Sequence, residues 1–152
     1  PAFVGLGAPH WNMNARGTLC GLTRGSSRAH IVRAALEAMA YQSYDVFHLM
    51  EEDSGLPIKE FFVDGGAVRN NFLMQFQADI LNRPVLRPVN IESTALGAAF
   101  LSGLATGFWS DSEELRQLKQ TEQTFTPSMS EKDRIQYLSG WHHALEKALL
   151  NT

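Results

Sequence analysis

The sequence predicts an α/β domain whose sheet is incomplete, and three observations carry that reading. Short apolar runs of strand length alternate with stretches whose apolar residues recur at helical spacing. One stretch, from about Arg28 to Asp53, places Val32, Leu36, Met39, Val46 and Met50 three, four or seven apart, on one face of a long helix. Only three or four short strands can be found, too few for an independent sheet, so upstream sequence or another chain is expected to complete it. A chain of 152 residues hides roughly 70% of its unfolded surface, and a single domain over 1–152 follows.

Each element has its local reason. Residues 1–11 begin apolar and are broken by Gly5, Gly7 and Pro9, which reads as a short strand running into a loop. Gly17 to Thr23 is a second apolar stretch, and Ser26 or Ser27 after it can cap the long helix. Ala34, Ala35, Ala38 and Ala40 widen the apolar face of that helix, and Gly55 with Pro57 stops it. Glu60 to Val63 is a brief apolar run ending at Asp64-Gly65-Gly66, after which Phe72, Phe76 and Ile80 recur at helical spacing: strand, glycine turn, helix. Pro84 to Val89 reads as a strand that, with two prolines, is expected to sit at a sheet edge or to pair only weakly. Ser93 or Thr94 opens a helix through Ala105, where Gly97, Ala98 and Gly103 allow close packing on a sheet. Asp111 to Lys119 reads as a short surface helix and Thr124 to Ser130 as a loop. Ile135, Leu138, His142, Leu145 and Leu149 line a terminal helix.

Composition removes several function classes. Thirteen basic against sixteen acidic residues give a charge of −3, which provides no footprint for nucleic acid or an anionic membrane. No apolar run reaches membrane-spanning length, and no basic-then-apolar leader opens the chain. From its start at Pro1, a processed or cut chain is expected. Cys20 stands alone, so a reducing compartment, the cytoplasm, is expected. The cysteine and scattered histidines lack metal-ligand spacing. Trp11, Trp109 and Trp141 are read as packing residues, and Glu37 and Asp45 as helix-surface partners. His30 is read as a structural hydrogen-bond partner, and His142 and His143 as partly solvated.

The most informative stretch is Phe61 to Asn71. Paired glycines between strand and helix let a backbone approach a ligand, and free N–H groups at a helix start attract anions. On motif alone, a plain tight turn is the simpler reading, with Asp64 a turn residue and Asn70 first of all a helix cap.

VDGGAVRNNFLMQFQADIL resembles the adenosine-binding segment of the glycerol kinases within the FGGY carbohydrate kinases. The stretch from Gly17 to Glu37 is similar to that family's C-terminal signature. FVGLGAPHW, GLTRG, STALGAAFLSGLATGFW and SGWHHAL extend the likeness over nearly the whole chain. The resemblance implies part of an actin-like ATPase, ribonuclease-H-like C-terminal domain. The implied reaction transfers the γ-phosphoryl group of Mg-ATP to glycerol, and a self-associating enzyme is expected. Gly66 and Asn70 are the implied ADP contacts, with Gly65 and Ala67 supporting the loop. Arg69 replaces an expected small residue and is read as a solvated arginine. His10 and Asn12 also depart from the family's usual tyrosine and aspartate. The catalytic base, the phosphate loop and most glycerol contacts are expected upstream, with magnesium carried by the nucleotide, so this chain alone is expected to be inactive. The alternatives are a free-standing nucleotide-binding or regulatory module, and a fragment of another sugar kinase of the family.

Overall fold

The computed structural model describes residue 2 and residues 4–150. In chain order they form helix α1 (Arg28–Ser54), strand β1 (Phe61–Phe62), a 3-10 turn (Gly66–Arg69), α2 (Asn71–Leu81) and β2 (Val85–Pro88). Helices α3 (Ser93–Ala105) and α4 (Ser112–Gln117), strand β3 (Thr121–Phe125) and α5 (Glu131–Leu150) follow. The three strands make one sheet in the order β1-β2-β3. β1 runs parallel to β2, with Phe61 opposite Val85, and β3 runs antiparallel, with Phe125 on the other side of the same Val85. β1, α2 and β2 are therefore a βαβ unit, whose crossover helix must bury itself on the sheet.

The core follows from that crossover. α2 buries Leu73, Met74, Phe76, Ala78, Ile80 and Leu81, and Ile80 and Val85 are the largest side chains wholly withdrawn from solvent. α1 covers α2 with Ala40, Tyr41 and Phe47, and α5 adds Leu138. Tyr41 meets Phe76 edge-on and stacks on Trp141, so one aromatic ring joins three helices. Beside it the Trp141 indole N–H donates to Asp45 at 2.8 Å, and the ring nitrogen of His10 lies 3.6 Å from the same carboxylate.

The caps are those the sequence implies. Gly55 closes α1 in the left-handed conformation at φ 65°, its N–H donating to the Glu51 carbonyl. Ser27 precedes the first turn of α1, and its N–H donates to Nδ1 of His30 at 3.1 Å, the structural role expected of that histidine. Glu37 pairs with Arg33, and His142 and His143 are exposed.

Several expectations are corrected. The stripe Val32, Met39, Val46 and Met50 is exposed, because the helix turns Ala40, Tyr41 and Phe47 inward and nothing among the described residues buries its other apolar face. β2 is the central strand, not an edge. Pro84 lies just before it, and Pro88 falls where the β2/β3 register shifts, so neither ring breaks the ladder in mid-strand. The loop expected at Thr124–Ser130 begins inside β3, a strand whose first four residues are exposed. On α3 only Gly103 packs closely, and it does so against Trp109 instead of a sheet; Ala98 is exposed. Trp11 is 76% exposed, contrary to a packing role. The opening strand falls partly on residues 1 and 3, outside the described residues. The part that follows is a loop pinned by an isolated bridge between Leu6 and Asn12.

Candidate functional site

The glycine turn is built at the C-terminal end of β1. Val63 donates to the Leu86 carbonyl, which carries the sheet one residue beyond β1, and Gly65 then donates to the Ile91 carbonyl at 2.8 Å. At φ 82° and ψ 175°, Gly65 occupies a region that residues with a side chain avoid, so its glycine is required by the backbone. The chain then tightens into the 3-10 turn, with Val68 N–H donating to Gly65 and Asn70 N–H to Ala67. Val68 is driven into the core and anchors the turn from below, while Gly66, Ala67, Arg69 and Asn70 remain exposed.

Asn70 takes its expected place as the N-cap of α2. Its Oδ1 accepts from Leu73 N–H at 3.1 Å, and its carbonyl accepts from Met74 N–H. The four predicted site residues Gly65, Gly66, Ala67 and Asn70 thus share one loop at a helix start. The N–H groups of Gly66 and Ala67 open the 3-10 turn, where helical geometry supplies no acceptor. No acidic residue occupies the first turn of α2, so the partial positive charge there is uncompensated. A Cβ built on either glycine meets no heavy atom within 4 Å. Gly66 therefore needs to be glycine neither for its φ nor for this chain's own packing.

A cleft of about 960 Å³ opens beside the loop, lined by Phe62, Asp64, Asn90, Leu96, Phe100 and Trp109. Gly65, Gly66, Ala67 and Asn70 line neither this cleft, which reaches the loop only at Asp64, nor the larger groove of about 1160 Å³ between α1 and α5. Among the described residues no group of three or more His, Cys, Asp or Glu is placed to hold a metal ion. Asp45 and His30 are engaged as described above, and exposed His142 lies 3.9 Å from the Asp45 carboxylate, so none of the three belongs to the loop. Sequence reading missed Arg87, a buried guanidinium in β2 that donates to the Val68 carbonyl and to Asn71 Oδ1. The available signal was a single cation inside the apolar run PVLRPV.

Comparison with known proteins gives the family. Residues 1–106 match the model of the FGGY family of carbohydrate kinases, C-terminal domain. The glycerol kinase of Carboxydothermus hydrogenoformans is 58% identical over 148 residues, which cover 97% of this chain and 30% of that enzyme. The glycerol kinase of Petrotoga mobilis is 60% identical over the same length and shares. Among solved structures, Plasmodium falciparum glycerol kinase with ADP superposes with a TM-score of 0.86 at 36% identity, over 98% of this chain and 30% of that one. A ligand-bound xylulose kinase from Lactobacillus acidophilus gives 0.79 at 28% identity, over 100% of this chain and 31% of that one. The chain thus spans under a third of the length of the relatives it matches.

Proposed function

This chain belongs to the FGGY family of carbohydrate kinases, and from that premise we propose that it supplies the adenosine-side nucleotide site of an ATP-dependent glycerol kinase. The observation that carries the reading is the open face of the Gly65–Asn70 loop, where a glycine that the fold does not require lies beside unpaired N–H groups and a capped helix start. Identities of 58% and 60% to two glycerol kinases and of 36% to the solved glycerol kinase, against 28% to the solved xylulose kinase, favour glycerol over another sugar substrate.

The parts divide as follows. Gly66 lets the nucleotide approach the backbone, and Gly65 sets the direction of the turn. The N–H groups of Gly66 and Ala67 face its polar edge, and Asn70 holds α2 in register while presenting its exposed amide. Mg-ATP, when bound, supplies the phosphoryl group, and magnesium arrives with it. The base that would take the glycerol hydroxyl proton belongs to sequence outside this segment, so the 152-residue chain alone is expected not to turn over. A cytoplasmic, self-associating holoenzyme is part of the same proposal.

The test is a calorimetric titration of the chain with Mg-ADP, repeated after Asn70→Ala. Binding that weakens in the variant supports the loop assignment. Equal binding by both chains would remove Asn70 from the site. Glycerol-dependent ADP release by the purified chain, free of host kinase, would contradict the expected inactivity.

A further inference from the structure

Arg87 is 7% exposed and stands in the central strand of the sheet. Burying a guanidinium is costly unless its donors are paired, and a well-packed apolar residue is often as good for stability, so a buried arginine with four of its five N–H donors paired calls for an account of what it holds. Its N–H groups reach two places. On one side Nε donates to Glu122 at 2.9 Å and Nη2 to Gln123 Oε1 at 2.8 Å, both on β3, and the group lies 5.3 Å from the Phe125 ring centroid. On the other side Nη1 donates to the Val68 carbonyl at 2.9 Å and to Asn71 Oδ1 at 2.8 Å.

Those last two acceptors bracket Arg69 and Asn70, the exposed end of the glycine loop. A peptide unit is planar and trans, so holding the Val68 carbonyl inward also fixes the plane that carries the Arg69 N–H. Asn71, the first residue of α2, is tied to the same guanidinium, which sets the 3-10 turn and the helix start relative to each other. Lysine could not replace it, because one ammonium nitrogen cannot span acceptors on β3 and on the loop at once.

We infer that Arg87 is a positioning residue for the nucleotide loop: a buried latch through which β3 keeps Gly65–Asn71 in its ligand-ready form. The inference rests on the nucleotide reading above. Arg87 does not contact the ligand itself; it acts through Val68 and Asn71. Glu122 and Gln123, exposed and outside the loop, belong to the same device.

The experiment is amide hydrogen exchange of the chain read by mass spectrometry, paired with Mg-ADP calorimetry, for Arg87→Lys, Asn71→Ala, Asn71→Asp and Glu122→Ala/Gln123→Ala. Because only the ordered fraction of a loop binds, apparent affinity falls in proportion to that fraction. Asn71→Ala and Arg87→Lys are expected to speed exchange of residues 66–70 about tenfold and weaken Mg-ADP about tenfold, with α5 unchanged. The double variant on β3 should move both readouts the same way by a smaller factor. Asn71→Asp, which keeps an acceptor for Arg87, should restore slow exchange. Loop exchange that stays at the wild-type rate in both Arg87→Lys and Asn71→Ala would overturn the inference. So would acceleration spread equally over α5 and the sheet, which would make Arg87 a prop of the whole domain. A wild-type chain with a protected loop but no Mg-ADP heat would sink a free-standing nucleotide site on this chain and show that the rest of the kinase is needed for binding; the exchange rates of residues 66–70 would then decide the latch by themselves.

Discussion

Replacing Gly66 by alanine should separate what the loop needs in order to fold from what it needs in order to work. No heavy atom lies within 4 Å of a Cβ at that position, and its backbone belongs to a 3-10 turn without a positive φ. The substitution therefore meets no clash, and the narrower unfolded ensemble should stabilise the chain by about 0.4–1 kcal/mol. The added methyl would nevertheless stand on the face proposed for the nucleotide. Mg-ADP affinity should fall at least about tenfold, equivalent to about 1.4 kcal/mol. Gly65→Ala is the internal control. It also has open space around it, but φ 82° with ψ 175° is a glycine region. Strain of about 1–3 kcal/mol, offset by the same entropic gain, leaves a net loss of roughly 1–2 kcal/mol. Urea unfolding followed by tryptophan fluorescence, with calorimetry on the folded variants, measures both quantities. Gly66→Ala that keeps full affinity while losing about 1 kcal/mol or more of stability would refute the reasoning, since the glycine would then serve the fold and not a ligand.

Three further outcomes follow from the packing. Gly103→Ala would push a methyl into the indole of Trp109, and it should cost about 1–3 kcal/mol and shift the emission of that tryptophan. Asp79, 8% exposed, accepts from the N–H groups of Ser128 and Met129, from the Ser128 hydroxyl and from Gln75 through one oxygen. Asp79→Ala should cost about 2–4 kcal/mol by stranding these donors, read as a lower urea midpoint. Burial, reinforced by the Glu37 carboxylate, raises the phenol of Tyr41 above the ordinary tyrosine range. The folded chain then keeps a proton that the unfolded chain releases, so this contribution is complete below pH about 10 and is lost as pH rises from there. An absorbance titration should show one of the three tyrosines ionising late, and Tyr41→Phe should remove that phase.

The glycine turn and its helix cap were easier to read in the sequence than the fold around them. Gly65-Gly66 after an apolar run and Asn70 before a helical period are local signals, and caps and turns depend on near neighbours. β3 gave no such signal. Thr121, Glu122, Gln123 and Thr124 are exposed, so the strand has almost no apolar pattern and exists because β2 offers it a ladder. The position of β2 was misjudged for a related reason: proline excludes mid-strand positions, but a register shift at Pro88 accommodates it, and that shift depends on the partner strand. The inner face of α1 was also misassigned. Tyr41 and Phe47 outcompete the Val32–Met50 stripe for the core because α2 presents Phe76 to the first and β1 presents Phe61 to the second. The lone cation in PVLRPV marked Arg87 as unusual, but its role was not legible because its acceptors are distant in sequence, with Glu122 and Gln123 more than thirty residues away.

The outward stripe of α1 has a practical chemistry of its own. Met39 and Met50 lie on it at 41% and 55% exposure, and thioethers in contact with water are oxidised by peroxide to sulfoxides, which are polar. The two residues are therefore built-in reporters of shielding. In the chain by itself they should oxidise readily, and the sulfoxides would make an otherwise adhesive surface more soluble. In an assembly that covers α1 they should be spared, so the pattern of oxidised methionines gives a footprint of whatever lies against the helix.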